Sequence, residues 1–172
     1  PSLALIEEHI FGGVEAPEAL LKPVVKDCQL AIIGIEDSMA QAECFINELY
    51  VSQLFLDNER GLWPVLSQQL ASAIDYKIIA PVLKAALIQY IAHACQLEVE
   101  LVYVPEKIMV RIICDDIYSI IFDPITGESL NGQQLDEKLD ELGGDPSQAF
   151  LPPMERQSII VAYLSTLKAS LI

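Results

Sequence analysis

Residues 102–130 read VYVPEKIMVRIICDDIYSIIFDPITGESL, and the period of this stretch decides the fold. From Glu98 onward apolar residues fall at every second place, through Val99, Leu101 and Tyr103, and Val, Ile and Tyr dominate as far as Phe122. That is the pattern of half-buried strands. Pro105 separates a first strand from a second, because proline cannot donate to a ladder. Cys114-Asp115-Asp116 forms a tight turn, so the second and third strands are expected to pair as an antiparallel hairpin. Ile125-Thr126-Gly127-Glu128 is another turn. Of the charged residues here, Arg111 is expected to brace the hairpin turn through Asp115 or Asp116, the other choice being to line a pocket.

Upstream the period is helical. Residues 82–97 are apolar on nearly every side, through Leu83, Ala85, Ala86, Leu87, Ile88, Tyr90, Ile91 and Ala92, which marks a helix buried within a domain. His93 near its end reads as a packed or last-turn histidine, since His9 lies at no ligand spacing from it. In the first sixty residues Leu3, Ile6 and Ile10 form one stripe, and Phe45, Leu49, Leu54 and Leu56 a longer run with Ser38 as its N-cap. Residues 57–61 break that run, a shorter helix covers about 64–73, and 75–81 link it to the buried helix. Downstream, Leu135, Leu139 and Leu142 make a short amphipathic helix stopped by Gly143-Gly144. A last helix carries Ile160, Tyr163, Leu164, Leu167 and Leu171 and reaches Ile172 without a C-cap, so the native chain is expected to continue.

The composition narrows the function. The 172 residues are 52% hydrophobic, enough for the core of one domain. Twenty-five acidic against 10 basic side chains give a formal charge of −15, a field that repels nucleic acid and anionic lipid headgroups. No stretch resembles a signal sequence or a membrane span. Cys28, Cys44, Cys95 and Cys114 lack metal-knuckle or redox spacing and read as reduced thiols in the cytoplasm. The glycine pairs Gly12-Gly13 and Gly143-Gly144 are not followed by a P-loop Lys-Ser/Thr. No cofactor, metal, nucleic acid or membrane partner is expected, and the oligomeric state is left open. Tyr50, Trp63 and Tyr103 are assigned to the core in preference to a small-molecule pocket.

A buried helix, an antiparallel hairpin opened by Pro105, and Asp123-Pro124 after its second strand together resemble the SirB family of bacterial proteins. Its members carry a transglutaminase-like domain, usually followed by tetratricopeptide-type repeats. The likeness spans residues 57–171 and is closest in 86–97, 105–112 and 123–130. It implies an α+β, cysteine-protease-like fold: an N-terminal helical part (1–60), a transglutaminase-like core (61–150) and a C-terminal helix (151–172) leading to repeats. In that fold the nucleophile starts the buried helix, and a His and an Asp come from neighbouring strands. Members often have Arg-x-Gly-Asn-Pro-x-Ser-Leu before the helix, then Pro-Gly-His-Phe and Asp-Pro-Phe.

Carried across, Lys77 stands for the Arg, Ile79 for the Gly, Ala80 for the Asn, and Pro81 matches. Leu83 falls at the nucleophile position. Further on, Pro105 matches, Glu106 replaces the Gly and Lys107 the His, while Arg111, Asp123-Pro124 and Gly127 match. Only the acid, Asp123, survives of the three. Leu83 has no lone pair for attack, and a protonated Lys107 is no general base. Cys95, about 18 Å along the helix, is too far to substitute. Lys107 and Asp123 form either an exposed ion pair, or no contact, or a pair in a vestigial cleft. The expected function is an inactive transglutaminase-like scaffold with a protein partner. The alternatives are a hydrolase or amide-transferring enzyme using Cys114 or Cys95 with His93, and a binder of a small cation near Asp123.

Overall fold

The computed structural model describes residues 1–11, 17–104, 107–130 and 152–172. Pro105, Glu106, both glycine pairs and the helix expected around Leu135 lie outside these. Among the described residues the chain is mixed α and β, with six α-helices and one four-stranded sheet. The helices are α1 (Ser2–Phe11), α2 (Pro17–Ile32), α3 (Ser38–Asn47), α4 (Leu70–Tyr76), α5 (Pro81–Ala94) and α6 (Arg156–Ser170). The strands are β1 (Glu98–Val104), β2 (Lys107–Ile113), β3 (Ser119–Phe122) and β4 (Ser129–Leu130), in the order β1-β2-β3-β4. All neighbours are antiparallel.

α5 is the axis of the molecule. Pro81 opens it at N1, where a missing N–H is harmless. It closes in a Schellman turn: Leu97 N donates to Ala92 O at 2.9 Å and Gln96 N to His93 O at 3.0 Å, with Gln96 left-handed at φ 62°. Leu83, Ala85, Ile88, Ile91 and Ala92 are all fully buried, packed between the sheet and the helices α2 and α6.

The strands obey the two-residue period on both faces. Val99, Leu101, Ile108, Val110, Ile112 and Phe122 face α5 and join the main core. Val102, Val104, Met109 and Ile121 form a second, smaller cluster. β4 was not foreseen, because two residues carry too little pattern. Arg111 corrects its expected role. The register that sets Val104 opposite Lys107 sets Glu100 opposite Arg111, and the guanidinium donates to Glu100 Oε2, from Nε at 3.0 Å and from a terminal nitrogen. The hairpin turn is instead braced by Asp115 itself, whose Oδ1 accepts from Ile117 N and Tyr118 N, both at 2.7 Å.

Other expectations shift at helix ends. Asp37, not Ser38, caps α3, its Oδ2 accepting from Ala40 N at 2.8 Å. Asp37→Ala should therefore destabilise the chain by about 1 kcal/mol in urea denaturation, with Ser38→Ala nearly silent. After α3 a π-turn (Glu48–Ser52) ends the helix, so Leu54 and Leu56 are exposed while Phe55 is buried. The expected helix at 64–73 divides into a 3₁₀ turn (Val65–Gln68) and α4. α4 stops at Lys77, left-handed at φ 57°, so the link to α5 is shorter than expected.

Candidate functional site

Asp123 follows β3 and turns the chain sharply. Its Oδ1 accepts from Ile125 N at 2.8 Å, its carbonyl accepts from Gly127 N at 2.8 Å, and its N–H donates to Glu128 O at 2.9 Å. The free oxygen, Oδ2, lies 3.6 Å from Lys107 Nζ. Lys107 starts β2, opposite Val104 of β1 and three residues before Val110, the partner of Phe122, and its ammonium also donates to Glu59 Oε1. Burial works against that ammonium, but the hydrogen bond to Glu59 and the two carboxylate charges outweigh it and raise its pKa above the ordinary value. Lys107 at neutral pH is therefore a protonated ammonium between Glu59 and Asp123 and offers no lone pair of its own.

The row lines a cleft of about 450 Å³. Its floor is apolar, made by Pro81 and Val82 from the first turn of α5 with Ile108 and Pro124, and Trp63 and Tyr103 stand at its sides. Tyr103 is exposed and Trp63 half-buried beneath the Arg60 guanidinium, 5.5 Å from its ring centre, so neither is a core residue as the sequence implied. Tyr50 is core. The hydroxyls of Ser165 and Thr166 reach the cleft from α6, but each donates to a carbonyl of its own helix, Val161 O at 2.8 Å and Tyr163 O at 2.9 Å.

One buried charge behind the cleft escaped sequence reasoning. Lys84, on the first turn of α5, is fully buried. Its Nζ donates to Phe55 O and, at 3.3 Å, to Ile125 O, and sits 5.6 Å from the centre of the Tyr50 ring. Burial lowers its pKa to about 8 despite the opposing charges of Asp57 and Asp123. Tyr50 closes the arrangement, its hydroxyl donating to Pro124 O at 2.8 Å. Lys84 and Tyr50 thus fasten the turn that presents Asp123. The signal was present: a single lysine within a helix apolar on nearly every side marks a charge held in the core.

A family model described as the transglutaminase-like superfamily matches residues 17–165, most of the chain. The chain belongs to the transglutaminase-like superfamily. Neither the curated proteins nor the solved structures contain a match. The match runs from the start of α2 into α6, and takes in the cleft-lining residues of this transglutaminase-like domain from Glu59 to Ser165.

The structure brings Lys107 and Asp123 together and leaves Leu83 elsewhere. Leu83 is fully buried and lines a different cavity, with Leu21, Leu70 and Leu87. One residue along a helix turns a side chain by about 100°, and it is Val82 that faces the cleft. The vestigial row inferred from sequence therefore loses its first member, and the residue in its place is equally unable to attack. Cys95 and His93 end α5; Cys95 Sγ points to Val25 O, and His93 is exposed beside the other cavity. Cys114 lies at the β2–β3 turn.

Proposed function

We propose that this transglutaminase-like domain is a catalytically inactive, SirB-type member that works as a protein-interaction or regulatory module in the cytoplasm. The observation that carries the reading is the cleft itself. It keeps the acid, Asp123, but places on it an ammonium already shared with Glu59, and the helix turn above offers Pro81 and Val82. Acyl transfer through a thiol or hydroxyl needs a nucleophile and a base in hydrogen-bond reach of it. Neither chemistry belongs to proline, valine or a protonated lysine. The matches at Arg111, Asp123-Pro124 and Gly127 support the SirB-type assignment, and four free cysteines suit a reducing compartment.

The thiols bear on the competing hydrolase. Burial pushes Cys28 up to about 12 and Cys95 to about 11, and it raises Cys114 as well, so all three are held as poorly nucleophilic thiols. Binding of a small cation finds Glu59, Asp123, Trp63 and Tyr103 in place, but Lys107 already holds both carboxylates.

Labelling the folded protein with iodoacetamide at pH 7, with peptide mass spectrometry to time each cysteine, tests the reading. No cysteine should react faster than a free thiol, and Cys28 and Cys95 should be the slowest. One hyper-reactive cysteine would refute it.

A further inference from the structure

Two of the four free cysteines meet where α2 packs on the end of α5. Gln29 Nε2 donates to Ala94 O at 2.8 Å, which pins the last turns of α2 against the end of α5. One turn back along α2, Val25 O lies 4.0 Å from Cys95 Sγ. Cys28 stands three residues beyond Val25 on the same helix, and a helical side chain leans toward the helix N-terminus, over the residues three and four before it. Both sulfurs therefore converge on one carbonyl. They are close enough to feel each other's charge, since a thiolate at Cys95 works against one at Cys28. Cys28 is fully buried, whereas Cys95, at the C-cap of α5, keeps 7% of its surface exposed. Cys114 Sγ by contrast meets a carbonyl of its own strand, Ile112 O at 3.8 Å.

We propose that Cys28 and Cys95 are an oxidisable pair, closed by a peroxide into a disulfide that ties α2 to the end of α5. Cys95, the less buried of the two, is the point of entry. Its thiolate attacks one peroxide oxygen, the S–O bond forming as the O–O bond breaks, and the leaving hydroxide takes up a proton as water. The Cys28 sulfur then attacks the sulfenic sulfur, S–S forming as S–O breaks, and the second hydroxide leaves with the Cys28 proton as water. Two thiols thus give two electrons to one peroxide.

The pair is slow to enter, because burial keeps both sulfurs protonated near neutral pH and only the thiolate attacks. It is a slow lock and not a fast peroxide sensor. The disulfide closes a long loop that carries α3, α4 and the Glu59 and Trp63 side of the cleft, so it favours the folded chain mainly by restricting the unfolded one. The inference stands apart from the interaction-module reading, which requires only that no thiol be hyper-reactive.

The test uses the full chain, reduced, freed of reductant and treated with hydrogen peroxide without denaturant. Remaining thiols are then alkylated in urea and the peptides mapped by mass spectrometry. Two of the four cysteines should escape alkylation, joined within one chain as Cys28 to Cys95. Formation of the link should accelerate about tenfold per pH unit from pH 7 to 9, as thiolate does below its pKa. With Cys28→Ser, dimedone should trap Cys95 as a sulfenic acid that goes no further. The oxidised chain should unfold at a urea concentration about 1 M or more above that of the reduced chain, and dithiothreitol should reverse the shift. Survival of all four thiols, a different pairing, or an oxidised chain no more stable than the reduced one would overturn the proposal.

Discussion

Gly127→Ala should be the most damaging small substitution in the chain, lowering stability by about 3 kcal/mol. Two causes add. Gly127 has φ +73°, where any side chain is strained, and an added Cβ would stand 2.7 Å from Tyr50 Cγ. The ring cannot retreat, because it is buried, its hydroxyl is tied to Pro124 O, and its edge meets Phe122 with ring centres 6.0 Å apart. Urea denaturation read by the fluorescence of Trp63 gives the change directly. A loss below about 1 kcal/mol would mean that the turn repacks freely and that Tyr50 is no anchor.

Lys84→Ala should cost a similar amount, about 2–4 kcal/mol, because it empties a fully buried site and leaves Phe55 O without its donor. Lys84→Met keeps the stem and removes the charge, and should cost about 1 kcal/mol at pH 7.5. The pH dependence isolates the ammonium. Its folded pKa of about 8 lies below the ordinary lysine value of 10.5, so between those values the unfolded chain binds the extra proton and stability from this group rises with pH. Cys28, Cys95 and Tyr50, whose pKa values burial raises, tilt the total the other way as pH climbs. The gap between the unaltered chain and Lys84→Met cancels those contributions. From pH 7.5 to 9.5 it should move by about 1–2 kcal/mol in favour of the unaltered chain. A flat gap would show that Lys84 does not titrate in the folded state.

Much of this arrangement is legible in the sequence where a period repeats. The two-residue alternation after Glu98 is long enough to give β1 to β3, and the apolar helix ahead of it is nearly α5 as found. Pairs across the sheet were within reach too: once Val104 faces Lys107, residue numbers that sum alike face each other, and Glu100 meets Arg111. The acids of the turn at 115 and 116 drew attention because they are near in sequence, whereas the ladder makes a distant acid nearer in space. What periodicity cannot supply is rotation to better than one residue. That gap separates Leu83 from Val82, and with it one cavity from the other. Nor does pattern announce the anchors made by single polar groups. Glu7 stands beside Glu8 and His9, and Lys84 alone in an apolar run, and only the folded chain reveals the backbone atom that each one meets.

The free edge of β1 is already taken. Met154 N donates to Leu101 O at 2.7 Å, and Pro153 bridges Val102. Pro153 has no N–H to offer, so it adds no donor to the ladder at that contact. A row of unpaired strand groups is the usual template for end-to-end association of sheets and for capture of a partner's extended segment. Here the segment leading into α6 blocks that template along its middle. Growth of one molecule's sheet onto another's through β1 would first require α6 to be peeled back at its start. The chain thus carries a safeguard against polymerising through its most regular strand.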